Sequence, residues 1–176
     1  MKIAVIGAGF VGEATGRGFA KHKNEVTFVD IDPEKVAALR TEGFRAELAD
    51  DYTAITTDVT MFCVPTPTVA KQIQLKIIRD AVVDFAKRLK DHDKYHVAVI
   101  RSTVPPQTTR DKVLPLIEGI SGKKAGKDFG LVMQPEYLRE ASAKSDFARP
   151  WFVLIGQYDK KSGDQIEKLY KPSTRR

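Results

Sequence analysis

The stretch Gly7-Ala8-Gly9-Phe10-Val11-Gly12 constrains this chain more than any other, because of what stands on either side of it. Ile3 to Ile6 is a short apolar run of the kind a buried parallel strand requires, and it stops at a glycine. A helix-like run follows. In such a strand-turn-helix unit Gly7 permits the tight bend, Gly9 lets the backbone approach a pyrophosphate, and Gly12 allows the helix to pack closely on the strand. The phosphate would lie at the helix N-terminus, where free N–H groups and the positive end of the dipole point at it. Gly7, Gly9, Phe10, Val11 and Gly12 are therefore candidate cofactor contacts. Val26 to Val29 reads as the second strand, and Asp30 stands at its end, roughly 20 residues past the glycines, as a dinucleotide site expects. A carboxylate there accepts hydrogen bonds from a ribose diol and repels a 2′-phosphate, which favours NAD over NADP. Lys35, on the helix after Asp30, can reach the adenosine phosphate or ribose, or simply be a solvated lysine.

The rest of the composition narrows the function by exclusion. A chain of 176 residues with 42% apolar content is long enough for one substantial core. No apolar run approaches the ~20 residues that span a bilayer, and the first strand is too short and too soon followed by glycines to be a signal peptide. A cytoplasmic protein without membrane contact is expected. Cys63 stands alone, so no internal disulfide forms, and His22, His92 and His96 lack metal-site spacing, so no metal is expected. The net charge of +6 is scattered in small clusters such as Lys123 to Lys127, without interleaved aromatic residues, which argues against nucleic acid. A mild positive field instead attracts an anionic dinucleotide or nucleotide sugar.

Downstream, strands and helices alternate. Pro33 to Thr41 reads as a helix ended by Gly43, Phe44 to Asp58 is poorly patterned, and Val59 to Val64 is the third strand, closed by Pro65 and Pro67. A long helical pattern covers about Val69 to Leu89. His96 to Ile100 is a fourth strand, followed by a helix from Thr108 or Thr109 to about Glu118. Phe129 to Met133 is strand-like, Pro135 to Ala143 helix-like, Trp151 to Ile155 the last strand, and Lys160 to Tyr170 a final helix. The order predicts an α/β fold: a doubly wound, mainly parallel six-stranded Rossmann-type sheet with helices on both faces.

Four stretches taken together resemble the N-terminal NAD-binding domain of the UDP-glucose/GDP-mannose dehydrogenase family: residues 7–12, Cys63-Val64-Pro65-Thr66-Pro67, Ser102-Thr103-Val104-Pro105-Pro106-Gln107-Thr108-Thr109, and Gln134-Pro135-Glu136-Tyr137-Leu138-Arg139-Glu140 followed by Ala143, Asp146 and Phe147. The resemblance implies oxidation of a UDP- or GDP-sugar C6 alcohol to a carboxylate with two NAD. Thr66 and Pro67 would form a platform against the cofactor, or serve only as a strand stop. Ser102 would contact NAD, and Thr103 would hold a water or substrate oxygen; on residue type alone both equally suit capping a turn. Glu136 would serve acid/base work and Glu140 would lie near the nicotinamide. Tyr137, Leu138 and Arg139 would help seat the sugar nucleotide. If the segment is helical, Glu136 and Glu140 share one face.

Departures from the family pattern qualify this. The family's nucleophilic cysteine, lysine and asparagine belong to later domains with no counterpart here. Residues 1–158 read as the NAD-binding domain, and 159–176 as a helix or linker toward the missing domains. Cys63 is expected to be a small buried hydrophobe rather than the nucleophile, and the isolated chain is expected to be inactive. A homodimer is expected of the full-length enzyme. Phe44 to Asp58 is shortened, Gln107 replaces a usual glycine, and Trp151 stands where an arginine is common, with a buried Trp expected. The alternatives are a free-standing dinucleotide-binding regulatory module without catalysis, and a hydroxyacid or 6-phosphogluconate type dehydrogenase domain sharing the glycine turn.

Overall fold

The structure, a computed structural model, describes residues 1–174, apart from the side chains of Glu140, Lys144, Ser173 and Thr174. The chain runs β1 (Lys2–Ile6), α1 (Phe10–Lys21), β2 (Glu25–Asp30), α2 (Pro33–Thr41), β3 (Arg45–Leu48), β4 (Val59–Phe62) and a hairpin of β5 (Thr68–Val69) with β6 (Gln72–Ile73). It continues with α3 (Lys76–Lys90), β7 (His96–Ile100), a π-turn (Thr109–Val113) leading into α4 (Leu114–Ser121), β8 (Phe129–Met133), a 3-10 turn (Glu140–Ser142), α5 (Ala143–Ala148), β9 (Gly156–Gln157) and α6 (Lys160–Thr174).

The central sheet has seven strands in the order β3-β2-β1-β4-β7-β8-β9. All pair in parallel except β9, which runs antiparallel to β8. Strand residues alternate between two cores, as the pleat requires. Val97 and Val99 face the layer of Phe19, Phe28, Phe147 and Ile166, on the side of α1, α5 and α6. Ala98 and Ile100 face α3 and α4 through Val82, Phe85, Leu89 and Ile117. Each of those fully buried large side chains stabilises by about 2 kcal/mol relative to exposure.

The sheet differs from the expected six strands in two places. Residues 45–48 pair with β2: Arg-Ala-Glu-Leu alternates polar and apolar over only four residues, too short a run to mark a strand, with Ala46 buried and Leu48 partly buried against the same core. Trp151 to Ile155 does not form a strand. The helix α5 leaves the chain at the carboxyl end of β8, so it returns antiparallel and pairs only at Gly156–Gln157. Trp151, expected in the core, is 90% exposed.

Three helices also differ in extent. α3 begins at Lys76 because Ala70 and Lys71 turn with positive φ and close the β5/β6 hairpin, and the Gln74 amide bonds back to the Pro67 carbonyl. The helix after Thr108 opens as a π-turn: Pro115 lacks an N–H and its ring crowds the carbonyl four residues back, which a wider turn relieves. Residues 134–139 are not helical, and Arg139 is extended at φ −88°, ψ 137°. Glu136 and Glu140 therefore share no helical face.

Candidate functional site

The carboxyl ends of β1, β2, β4 and β7 open onto one cleft, where ligands of open parallel sheets bind. The glycine turn forms its floor. Gly7 has φ +92°, and a Cβ there would stand 2.9 Å from the Cys63 carbonyl oxygen. A Cβ on Gly12 would fall 1.8 Å from the Gly7 carbonyl oxygen, so the start of α1 can close on the turn only with hydrogen at that position. Gly9 is different: a Cβ there would meet nothing within 4 Å. Its bare face opens on the space a ligand needs. No side chain caps α1, so its opening amides, Phe10 and Val11 included, are left for an anion.

Asp30 ties this turn to β2. Its Oδ2 accepts from the Ala8 amide at 2.6 Å and its Oδ1 from the Asp32 amide at 2.9 Å. Each carboxylate oxygen keeps a further lone pair for a ribose hydroxyl. Asp32 in turn caps α2 through the Glu34 and Lys35 amides, and Lys35 reaches the cleft while ion-paired to Asp32 at 3.7 Å.

The cleft encloses about 680 Å³, within the range of small-molecule and cofactor sites. Gly7, Gly9, Asp30 and Lys35 line one end; Thr66, Ser102, Thr103 and Glu136 line the other. Thr66 donates to the Thr103 carbonyl at 2.7 Å, joining the two loops that follow β4 and β7. The buried Ser102 hydroxyl lies 2.6 Å from the Val64 carbonyl and donates there, which leaves its oxygen only an acceptor. Pro67 is exposed and does not line the cleft, and Gly12 lies buried beneath the turn. An open Gly9, uncapped helix amides and an acid at the ribose distance fit a dinucleotide.

Glu136 also lines a second, smaller cavity of about 170 Å³ with Tyr137, Leu138 and Arg139. Its Oε2 accepts from the Leu138 amide at 2.5 Å. Arg139 forks onto Asp146 at 2.7 and 3.1 Å, which holds the Asp146 carboxyl well below the usual carboxylate range. Tyr137 stacks obliquely on Phe152, with ring centroids 4.8 Å apart. The Glu140 side chain lies outside the described residues.

Two buried polar residues here escaped the sequence reading. Arg101 and Gln134 are 3% exposed each and hydrogen-bonded to one another. The available clue was a charge directly after the apolar run of β7, where a buried strand would ordinarily continue into a neutral turn. Cys63 is buried beneath the glycine turn, and burial pushes its thiol up to about 12, so it is no nucleophile. Among the described residues no His, Cys, Asp and Glu cluster could hold a metal, and no helix is long and apolar enough to cross a membrane.

Comparison with known proteins agrees with this geometry. The profile of the UDP-glucose/GDP-mannose dehydrogenase family, NAD binding domain, matches residues 1–47 and 41–174. GDP-mannose 6-dehydrogenase of Pseudomonas syringae pv. syringae is 33% identical, across 97% of this chain and 44% of its own length. A UDP-glucose 6-dehydrogenase of Haloferax volcanii is 32% identical, across 100% of this chain and 45% of its own. The crystal structure of a ternary complex of GDP-mannose dehydrogenase from Pseudomonas aeruginosa superimposes with a TM-score of 0.91 at 32% identity, over 97% of this chain and 44% of that one. The chain thus spans less than half the length of these relatives. It belongs to the UDP-glucose/GDP-mannose dehydrogenase family, and what it contains is that family's NAD binding domain.

Proposed function

We propose that this chain binds NAD for a cytoplasmic nucleotide-sugar 6-dehydrogenase that converts the C6 alcohol of a UDP- or GDP-sugar to a carboxylate. One observation carries the reading: a single cleft runs from Asp30, past the open Gly9 and the first amides of α1, to Thr103 and Glu136. The opening amides donate to the pyrophosphate, and the ribose hydroxyls donate to Asp30. Lys35 adds positive charge at the adenosine end, while Thr66, with Pro67 behind it, forms a platform against the cofactor's ribose side. Bound NAD supplies the hydride acceptor. Ser102 offers its oxygen to the cofactor, the Thr103 hydroxyl holds a water or substrate oxygen, and the Glu136 carboxylate moves a proton there. Glu140 belongs near the nicotinamide, and Tyr137, Leu138 and Arg139 seat the sugar nucleotide beside Glu136.

On this reading the cofactor domain extends beyond the expected residues 1–158 to include α6, since Ile166, Leu169 and Tyr170 pack into its core, and the catalytic domains belong to a longer, homodimeric enzyme. Isothermal titration of the chain tests the cofactor half. NAD should bind below millimolar and NADP at least ~10-fold more weakly, since the 2′-phosphate meets the Asp30 carboxylate. Asp30→Ala should weaken NAD and erase the preference. Equal affinity for both cofactors in the unaltered chain would sink the assignment of Asp30.

A further inference from the structure

Among the described residues Arg101 is the only buried arginine or lysine, and no described carboxylate lies within ion-pair distance of it. An uncompensated buried cation is strongly unfavourable, so something else must use the charge. Part of its fork is structural. Nε donates to Thr15 Oγ1 on α1 at 2.9 Å, and Nη1 donates to Gln134 Oε1 and to the Tyr170 hydroxyl on α6, the latter at 2.8 Å. Nη2 has no acceptor among the described residues. Arg101 and Glu136 alone line both the large cleft and the smaller cavity beside it. Arg101 therefore belongs to the wall these two cavities share, and Nη2 is its amino group without an acceptor among the described residues.

Its place in the sheet says which part of a ligand it meets. β7 stands three strands from β2, and at ~4.8 Å per strand the Arg101 end lies about 14 Å from Asp30. A dinucleotide whose adenosine ribose is held at Asp30 and whose pyrophosphate crosses Gly9 brings its other half to β7. We infer that Arg101 is a cofactor-contacting residue: Nη2 donates to an oxygen acceptor on the nicotinamide mononucleotide half of NAD. This rests on the NAD reading above. The charge-assisted bond lends affinity to that half alone, while the remaining N–H groups fix α1, β8 and α6 around it.

Titration of the 176-residue chain with NAD, ADP-ribose and AMP tests the inference. Arg101→Met should weaken NAD about tenfold and leave AMP unchanged. A parallel loss for ADP-ribose places the acceptor on the nicotinamide-side phosphate or ribose, and its absence identifies the carboxamide. Tyr170→Phe removes one protein acceptor of the same fork and should leave NAD affinity within about twofold. Equal losses for NAD and AMP, no loss at all, or a loss in Tyr170→Phe matching Arg101→Met overturns the inference. Should Arg101→Met not fold, the guanidinium nitrogen resonances of the unaltered chain decide: the Arg101 signal shifts with NAD and not with AMP, and an unmoved signal is a refutation. If the unaltered chain binds no NAD, the cofactor reading itself falls. If both proteins bind it equally, only the role of Arg101 does.

Discussion

The glycine turn and Glu136 line the same cleft, yet the turn and the segment 134–142 that carries Glu136 are held in opposite ways. The turn is fixed by backbone sterics within a dozen residues: Gly7 at positive φ, and Gly12 with no room for a methyl group. Residues 134–142 form no helix before the short turn at Glu140–Ser142, and after the Gln134 amide bonds to the Ile100 carbonyl they leave the sheet. Their shape comes from side chains, Arg101 and Tyr170 on Gln134 from 33 and 36 residues away, and Asp146 on Arg139 from 7. The first wall is rigid by construction. The second is a sum of separate hydrogen bonds, each of which can change without the others.

If that contrast is right, the largest effect belongs to Gly12→Ala, whose added carbon meets backbone at 1.8 Å. Overpacking against a carbonyl should cost ~3 kcal/mol in a denaturant titration, and a loss under ~1 kcal/mol would mean the turn is softer than its sterics imply. Acid gives the next effect, at the far end of the sheet. Burial pushes the His96 imidazole down to about 3, where it bridges the Thr57 carbonyl and the Thr60 hydroxyl. The unfolded chain takes up that proton near pH 6.5 and the folded chain does not. Stability is therefore complete above that pH and falls by about 1.4 kcal/mol per unit as pH drops from 6.5 toward 3. Urea midpoints at pH 7 and 5.5 measure it, and His96→Gln should flatten the slope; NAD affinity of the folded chain should stay level across the same window.

Gly9→Ala separates binding from folding. Its methyl group touches nothing, so stability should move by less than ~0.5 kcal/mol while NAD affinity drops at least ~10-fold. A stability loss equal to that of Gly12→Ala would erase the distinction between the two glycines. The smallest effect is expected at the second wall. Asp146→Asn loosens the exposed Arg139 fork, so amide exchange should quicken over residues 138–142 with NAD affinity changed less than about twofold. A large drop in affinity there would show that the second wall is as rigid as the first.

The parts of the molecule that were legible in advance are those where the cause lies within a few residues. β1, the glycine turn, α1 and β2 follow from an apolar run, three glycines and an acid, and α2 occupies Pro33–Thr41 as its proline and Gly43 indicate. Cys63 was readable as a buried hydrophobe because it closes an apolar strand. The strand Arg45–Leu48 was not, since four alternating residues are too few to mark a strand until β2 lies alongside to pair with them. Trp151 to Ile155 misled for the converse reason: apolar residues marked a strand, but the chain's direction after α5 left no partner beyond β9.

By itself, then, the sequence determined a parallel α/β sheet and a bare, amide-lined turn with an acid at ribose distance, because glycine sterics and strand periodicity act locally. Tertiary structure alone decided that residues 134–139 would not be helical and that an arginine without a carboxylate partner among the described residues would sit in the wall between two cavities. Those outcomes depend on contacts between residues tens of positions apart, and no local pattern encodes which donors will be left without an acceptor.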